Sequence, residues 1–145
     1  LKKIIMLIKK IAQSYLIRLD PGEEIVSALK SVCQARRIRA GLVFGLGAVK
    51  EAELGCFLVR TKKYQARRLR GAWEIASLSG NISVLDGEPY LHLHAVLGDQ
   101  HQKALGGHLS SAVVSATAEI WIWPVRAVIR RHFSAATGLN LLDLE

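Results

Sequence analysis

Tyr15-Leu16-Ile17-Arg18-Leu19-Asp20-Pro21-Gly22-Glu23-Glu24-Ile25 carries the change of period that decides the fold. Tyr15 to Leu19 alternates, the pattern of a strand. Asp20-Pro21-Gly22-Glu23-Glu24 then announces a helix. Asp20 can cap it, Pro21 suits a first turn, and the glutamates complement the positive end of the helix dipole. Ile25, Val26, Leu29, Val32 and Cys33 follow at helical spacing and define one buried stripe. The helix is expected to run to about Arg36, with Arg36, Arg37 and Arg39 at the negative dipole end.

Downstream the period changes to that of strands. Leu42-Val43-Phe44 is a short apolar run, and Gly45-Leu46-Gly47 suggests a bend or close backbone approach. Strands are expected over Glu53–Arg60, Tyr64–Arg70 and Trp73–Ser79, with a turn at Lys62-Lys63, a bulge at Gly80 and a continuation over Asn81–Leu85. Asp86-Gly87 is a hairpin signal, and Tyr90–Leu97 returns as a strand. Lys103–Ser111 reads as irregular, Val113–Trp123 as a long strand, and Val125–Phe133 as a last full strand. One helix followed by many strands is an α+β order. It predicts a single compact domain, a mostly antiparallel curled sheet covered by the helix.

Upstream, Leu1–Ile11 reads LKKIIMLIKKI. Its apolar run is too short to span a bilayer, and no small-residue cleavage site follows. It reads as an edge element docked on the body, a contact for a partner chain, or a short helix on a membrane surface. Residues 1–14 are accordingly set apart as an N-terminal extension of a domain over 15–145.

The 145 residues are half hydrophobic and suit one domain. The net charge is +8, which favours nucleic acid or other anions as partners. Cys33 and Cys56 fit no CxxC pattern and sit in apolar stretches, so both are expected as small buried hydrophobes. A reducing compartment such as the cytoplasm follows from that usage.

His92-Leu93-His94 is the sharpest chemical signal. Residues i and i+2 of a strand share a face, so the two imidazoles project together. His108 follows Gly106-Gly107, a pair that lets the backbone turn back tightly. Three histidines make a metal site with one open position, suited to a divalent metal and to zinc first. The alternative is histidines paired with carboxylates or backbone. Glu119 lies within an apolar strand and needs a partner. It is a candidate general base, a group that orients a histidine, or the partner of an arginine across the sheet.

Gly41 to Gly47 lacks the third glycine and the GK[ST] ending of phosphate loops, and Ser77 to Gly80 is not GxSxG. Lys62, Lys63, Arg67, Arg68 and Arg70 form a basic cluster on an expected hairpin, a shape that fits a DNA groove. Further clusters are Arg36, Arg37 and Arg39, and Arg126, Arg130 and Arg131. Aromatic residues are not interleaved with them, so single-strand stacking is not indicated. Trp121 and Trp123 share a strand face and belong to a core or a subunit interface.

Several ordered motifs together resemble the PPC domain family (plants and prokaryotes conserved). They are Gly22-Glu23-Glu24-Ile25, Arg39-Ala40-Gly41 with Gly45-Leu46-Gly47-Ala48, and Trp73 to Ser83. Asp86 to Asp99, Gly106-Gly107-His108-Leu109 and Thr137 to Leu142 complete the set. The resemblance covers about Tyr15 to Leu142. It implies a homotrimer with a subunit-interface site where His92, His94 and His108 can hold a metal. Plant relatives join this domain to AT-hook motifs that bind DNA, and this chain lacks the Arg-Gly-Arg-Pro core. Stand-alone prokaryotic members carry the label of candidate DNA-binding proteins.

Three functions compete. The leading expectation is DNA contact through Lys62, Lys63, Arg67, Arg68 and Arg70 in a trimer with a histidine metal site. The second is a metal-dependent enzyme or small-molecule binder, and the third a trimeric module that docks a protein partner.

Overall fold

A computed structural model describes residues 6–145. The Leu1–Ile5 part of the N-terminal segment lies outside the described residues. The elements are β1 (Leu7–Ile11), β2 (Ser14–Leu19), α1 (Ile25–Arg36), β3 (Gly41–Leu58), β4 (Lys63–Leu85), β5 (Glu88–Gly98), β6 (Ala104–Pro124), β7 (Arg130–Ser134) and β8 (Leu139–Asp143). They form one sheet in the order β1-β2-β6-β3-β4-β7-β8, with β5 pairing both β4 and β6. Strands β3, β4, β5 and β6 therefore close a hydrogen-bonded circuit. Every pairing is antiparallel except the single Val84–Arg130 bridge that hangs the β7–β8 hairpin on β4.

The helix forms where the sequence places it, but with another cap. Glu24 has extended backbone, and its carboxylate accepts from the Val26 and Ser27 N–H groups at 3.0 and 2.7 Å. The same carboxylate accepts from Ala112 N–H at 2.9 Å, which ties the start of α1 to β6. Asp20 instead lies in the preceding turn and pairs with Arg18 at 3.3 Å. Helix α1 buries Ile25, Leu29, Val32 and Cys33. They pack in one cluster with sheet residues such as Leu19, Leu93, Leu97 and Ile120. Burial pushes the Cys33 thiol up to about 12. Cys56 is exposed, not buried as its apolar neighbours suggested.

The expected short strands merge into long ones. β3 and β4 stay paired across register shifts at Gly45/Gly47 and Val49/Glu51, which absorb the breaks seen in the sequence. The bulge expected at Gly80 lies instead between Ile75 and Ser77 on the β5 side. Asp86 and Gly87 both have positive φ (51° and 84°), the hairpin turn their sequence signals. Lys103–Ser111 is not irregular, since β6 runs unbroken from Ala104. Val125–Phe133 is not one strand: the chain bends after Pro124, and β7 turns through Thr137-Gly138 into β8. β1 lies at one edge of the sheet, antiparallel to β2. No helix among the described residues is long and apolar enough to cross a membrane.

Candidate metal centre

His92 and His94 leave the same face of β5. On β4 their cross-strand partners are Asn81 and Ser79. His108 stands directly opposite His94 on β6. The device that brings it there is the β5–β6 turn. The Asp99 carboxylate accepts from the N–H groups of His101 and Lys103 at 2.8 and 3.0 Å. Gly106 and Gly107 do not turn the chain; both lie inside β6, opposite Val96 and Ala95. Glycine is needed at 107 for another reason. A Cβ there would stand 2.7 Å from the carbonyl oxygen of Gly55 on β3. Gly80 has the same role beneath His92, where a Cβ would run into the His92 carbonyl oxygen.

One ligand-capable nitrogen from each of His92, His94 and His108 lies within 4.8 Å of the others. Ring centroids are 5.1 Å apart for His92–His94, 5.4 Å for His92–His108 and 5.7 Å for His94–His108. No carboxylate joins this group among the described residues. His108 Nδ1 is buried without a hydrogen-bond partner, a cost that a bound cation would remove. Burial, the Arg131 guanidinium and the two neighbouring imidazoles hold His92 down at about 4. Burial and then His94 hold His108 below its ordinary value. Neutral imidazoles are the form that binds metal, so the residues present fit a divalent cation with nitrogen ligands.

Arg131 belongs to this site, although the sequence suggested a surface basic cluster. Its Nε donates to Ser83 Oγ at 2.8 Å, one terminal nitrogen to the Asn140 carbonyl at 2.7 Å, and the other to Asn81 Oδ1 at 2.9 Å. Its guanidinium carbon lies 4.8 Å from the Tyr90 ring centroid. Asn81 and Ser83 are the cross-strand partners of His92 and Tyr90, so Arg131 is anchored beside the imidazoles. Tyr64 packs on His108 with ring centroids 5.1 Å apart. Burial and then Tyr90 raise its hydroxyl pKa, against the lowering effect of Arg131. The sequence signal for Arg131 was only its charge, because it reaches the site through β7, far along the chain.

The other expected site residues are dispersed. Glu119 is exposed on β6, about 36 Å of strand beyond His108. Its cross-strand partner on β2 is Arg18. Arg68 and Arg70 stand opposite Glu53 and Glu51, and Arg68 bonds Glu53 at 3.3 Å. Arg67 points to the other face with buried Leu69, because neighbours on a strand alternate. Lys62 lies in the β3–β4 turn and donates to the Ala135 carbonyl, and Lys63 opens β4.

A curled antiparallel sheet under one helix, with three clustered imidazoles on β5 and β6, defines a small α+β domain able to hold a metal. The chain belongs to the Plants and Prokaryotes Conserved (PCC) domain family, the PPC family of the motifs above, whose model matches residues 6–126. Three solved structures resemble it over nearly their whole length. A candidate DNA-binding protein from Bacteroides thetaiotaomicron is 36% identical, with 95% of this chain and 96% of that one covered and a TM-score of 0.92. A metal-containing protein from Archaeoglobus fulgidus is 33% identical, with 97% and 98% covered and a TM-score of 0.84. A plant- and prokaryote-conserved protein from Pyrococcus horikoshii is 32% identical, with 99% and 97% covered and a TM-score of 0.84. No curated protein sequence matches the chain.

Proposed function

We propose that this protein is a homotrimeric metal-binding domain. His92, His94 and His108 hold a divalent metal, zinc first, and leave one position for a small anionic ligand or water. The observation that carries this reading is the convergence of the three imidazoles around the unpartnered, buried His108 Nδ1. Zinc with nitrogen ligands and an open position supplies Lewis acidity and a bound water of lowered pKa. The protein's own contribution is Arg131. A fixed guanidinium with no carboxylate partner among the described residues favours an anion at the neighbouring open position and disfavours a cationic one. The metal-containing relative from Archaeoglobus fulgidus agrees with this reading.

The homotrimer is supported by the outer sheet face. Leu42, Phe44 and Leu46 on β3 are 55%, 43% and 55% exposed, and Trp123 beside them is 53% exposed. A row of large apolar side chains on adjacent paired strands suits a subunit interface.

The test is metal content of purified, untagged protein beside a variant with His92, His94 and His108 changed to Ala. About one metal per chain, lost in the variant, is the expected result. No metal in either sample, even after zinc addition, would overturn the reading.

Contact with DNA through Lys62, Lys63, Arg67, Arg68 and Arg70 is a second reading. The net charge of +8 and the description of the Bacteroides thetaiotaomicron relative favour it. Charge-driven binding falls steeply with salt, and Arg70→Ala is expected to reduce the salt slope by about 1. A duplex that does not bind at low salt rejects it.

A further inference from the structure

Arg36, Arg37 and Arg39 leave the end of α1 and meet Arg126 and Lys10 around a concavity of about 360 Å³. No carboxylate lines it. The ion pairs among the described residues are Arg18–Asp20 and Arg68–Glu53, so these five cations have no acidic partner there. The sequence held them in three separate places: the N-terminal segment, the helix end and the bend after Pro124. Gathering like charges around one hollow raises their energy, and a multivalent anion removes that cost. The carbonyl end of α1 offsets only part of it, about half a charge.

Two further features point the same way. Arg36 stands over the Tyr15 ring at 5.5 Å, which holds one wall in place. Arg37 has left-handed backbone (φ 54°, ψ 39°), where a glycine would end the helix at less cost. Its side chain occupies that position nonetheless.

Arg37, Ile38 and Arg39 also line an adjoining concavity of about 500 Å³ with Gln34, Glu88 and Pro89. The Gln34 side-chain amide donates to the Glu88 carboxylate at 2.8 Å. That carboxylate repels phosphate and accepts from N–H or O–H donors. The two hollows are therefore complementary to a molecule with an anionic end and a donor-bearing end.

We propose that they bind a small organic polyphosphate of the nucleoside diphosphate class. The phosphates lie against Lys10, Arg36, Arg37, Arg39 and Arg126, and the donor-bearing end faces Glu88. Arginine matches phosphate with paired N–H donors. A hollow of about 360 Å³ has the size of a small-ligand pocket, and duplex DNA is too wide to enter it.

The test is isothermal titration calorimetry on the full chain with pyrophosphate, ADP and a short DNA duplex at physiological salt. Pyrophosphate and ADP are expected to saturate at one per chain. Arg39→Ala and Arg126→Ala each weaken both by about tenfold, and Arg126→Lys recovers part of the loss. Glu88→Gln weakens ADP and leaves pyrophosphate unchanged. Arg39→Ala and Arg126→Ala leave zinc binding at His92, His94 and His108 unchanged, which separates this site from the histidine centre. Circular dichroism checks that each exposed-site variant is folded. Absence of saturable binding by pyrophosphate and ADP overturns the proposal. So does equal binding by the alanine variants, or binding of the duplex alone through these arginines.

Discussion

His94 and His108 face each other across β5 and β6 with ring centroids 5.7 Å apart, and His108, whose buried Nδ1 has no hydrogen-bond partner, packs against the Tyr64 ring. A directly opposed pair needs both backbones in fixed register. The approach of β6 to β3 at Gly107 and Gly55 sets the depth of one of them.

Gly107→Ala is therefore expected to destabilise the domain by about 1–3 kcal/mol, since its Cβ would press on a backbone oxygen that has no room to move. It is also expected to weaken zinc binding by shifting His108. Urea unfolding and a zinc titration measure the two effects; unchanged values for both would contradict the packing argument.

The histidine cluster makes the metal-free protein sensitive to acid. His92 stays neutral down to about 4 when folded, against 6.5 for an unperturbed histidine. Between those values the unfolded chain binds more protons, so stability falls as pH drops. It is complete above about 6.5 and lost progressively towards 4, and His108 acts in the same direction. Unfolding in chelator at several pH values tests the sign. A rise in stability on acidification through this window would refute it.

Arg131→Met removes three hydrogen bonds and a cation that faces His92. Asn81 and Ser83 lose their partner, so a loss of about 2–4 kcal/mol is expected. The His92 pKa should rise but stay below 6.5, because burial is the larger cause of its depression. Histidine NMR titration reads that change directly.

Leu29→Ala tests the seat of the helix on the sheet. Leu29 is fully buried, and truncation there is expected to cost about 3 kcal/mol. A cost below about 1 kcal/mol in chemical denaturation would mean that α1 does not seal the core.

Phe44→Glu places a charge among Leu42, Leu46 and Trp123 on the outer face. Light scattering is expected to show a smaller assembly with an unchanged circular dichroism spectrum. A wild-type chain that is monomeric at all concentrations would remove the homotrimer.

The sequence by itself determined what lies within a few residues. Ile25 to Cys33 carry a helical stripe, Asp86-Gly87 carries a hairpin turn, and His92 and His94 share a face because a strand alternates. Each follows from backbone geometry over one or two turns. The family motifs from Gly22 to Leu109 were legible too, and they fall within residues 6–126 that the family model matches. The tertiary structure alone decided which distant residues meet. It put His108 opposite His94 through the Asp99 turn and delivered Arg131 from β7. It left Glu119 at the far end of β6 and gathered Lys10 and Arg126 with the arginines of α1. Strand register, bulge position and the crossing of glycines are set by burial across the whole sheet, and no local period carries that information.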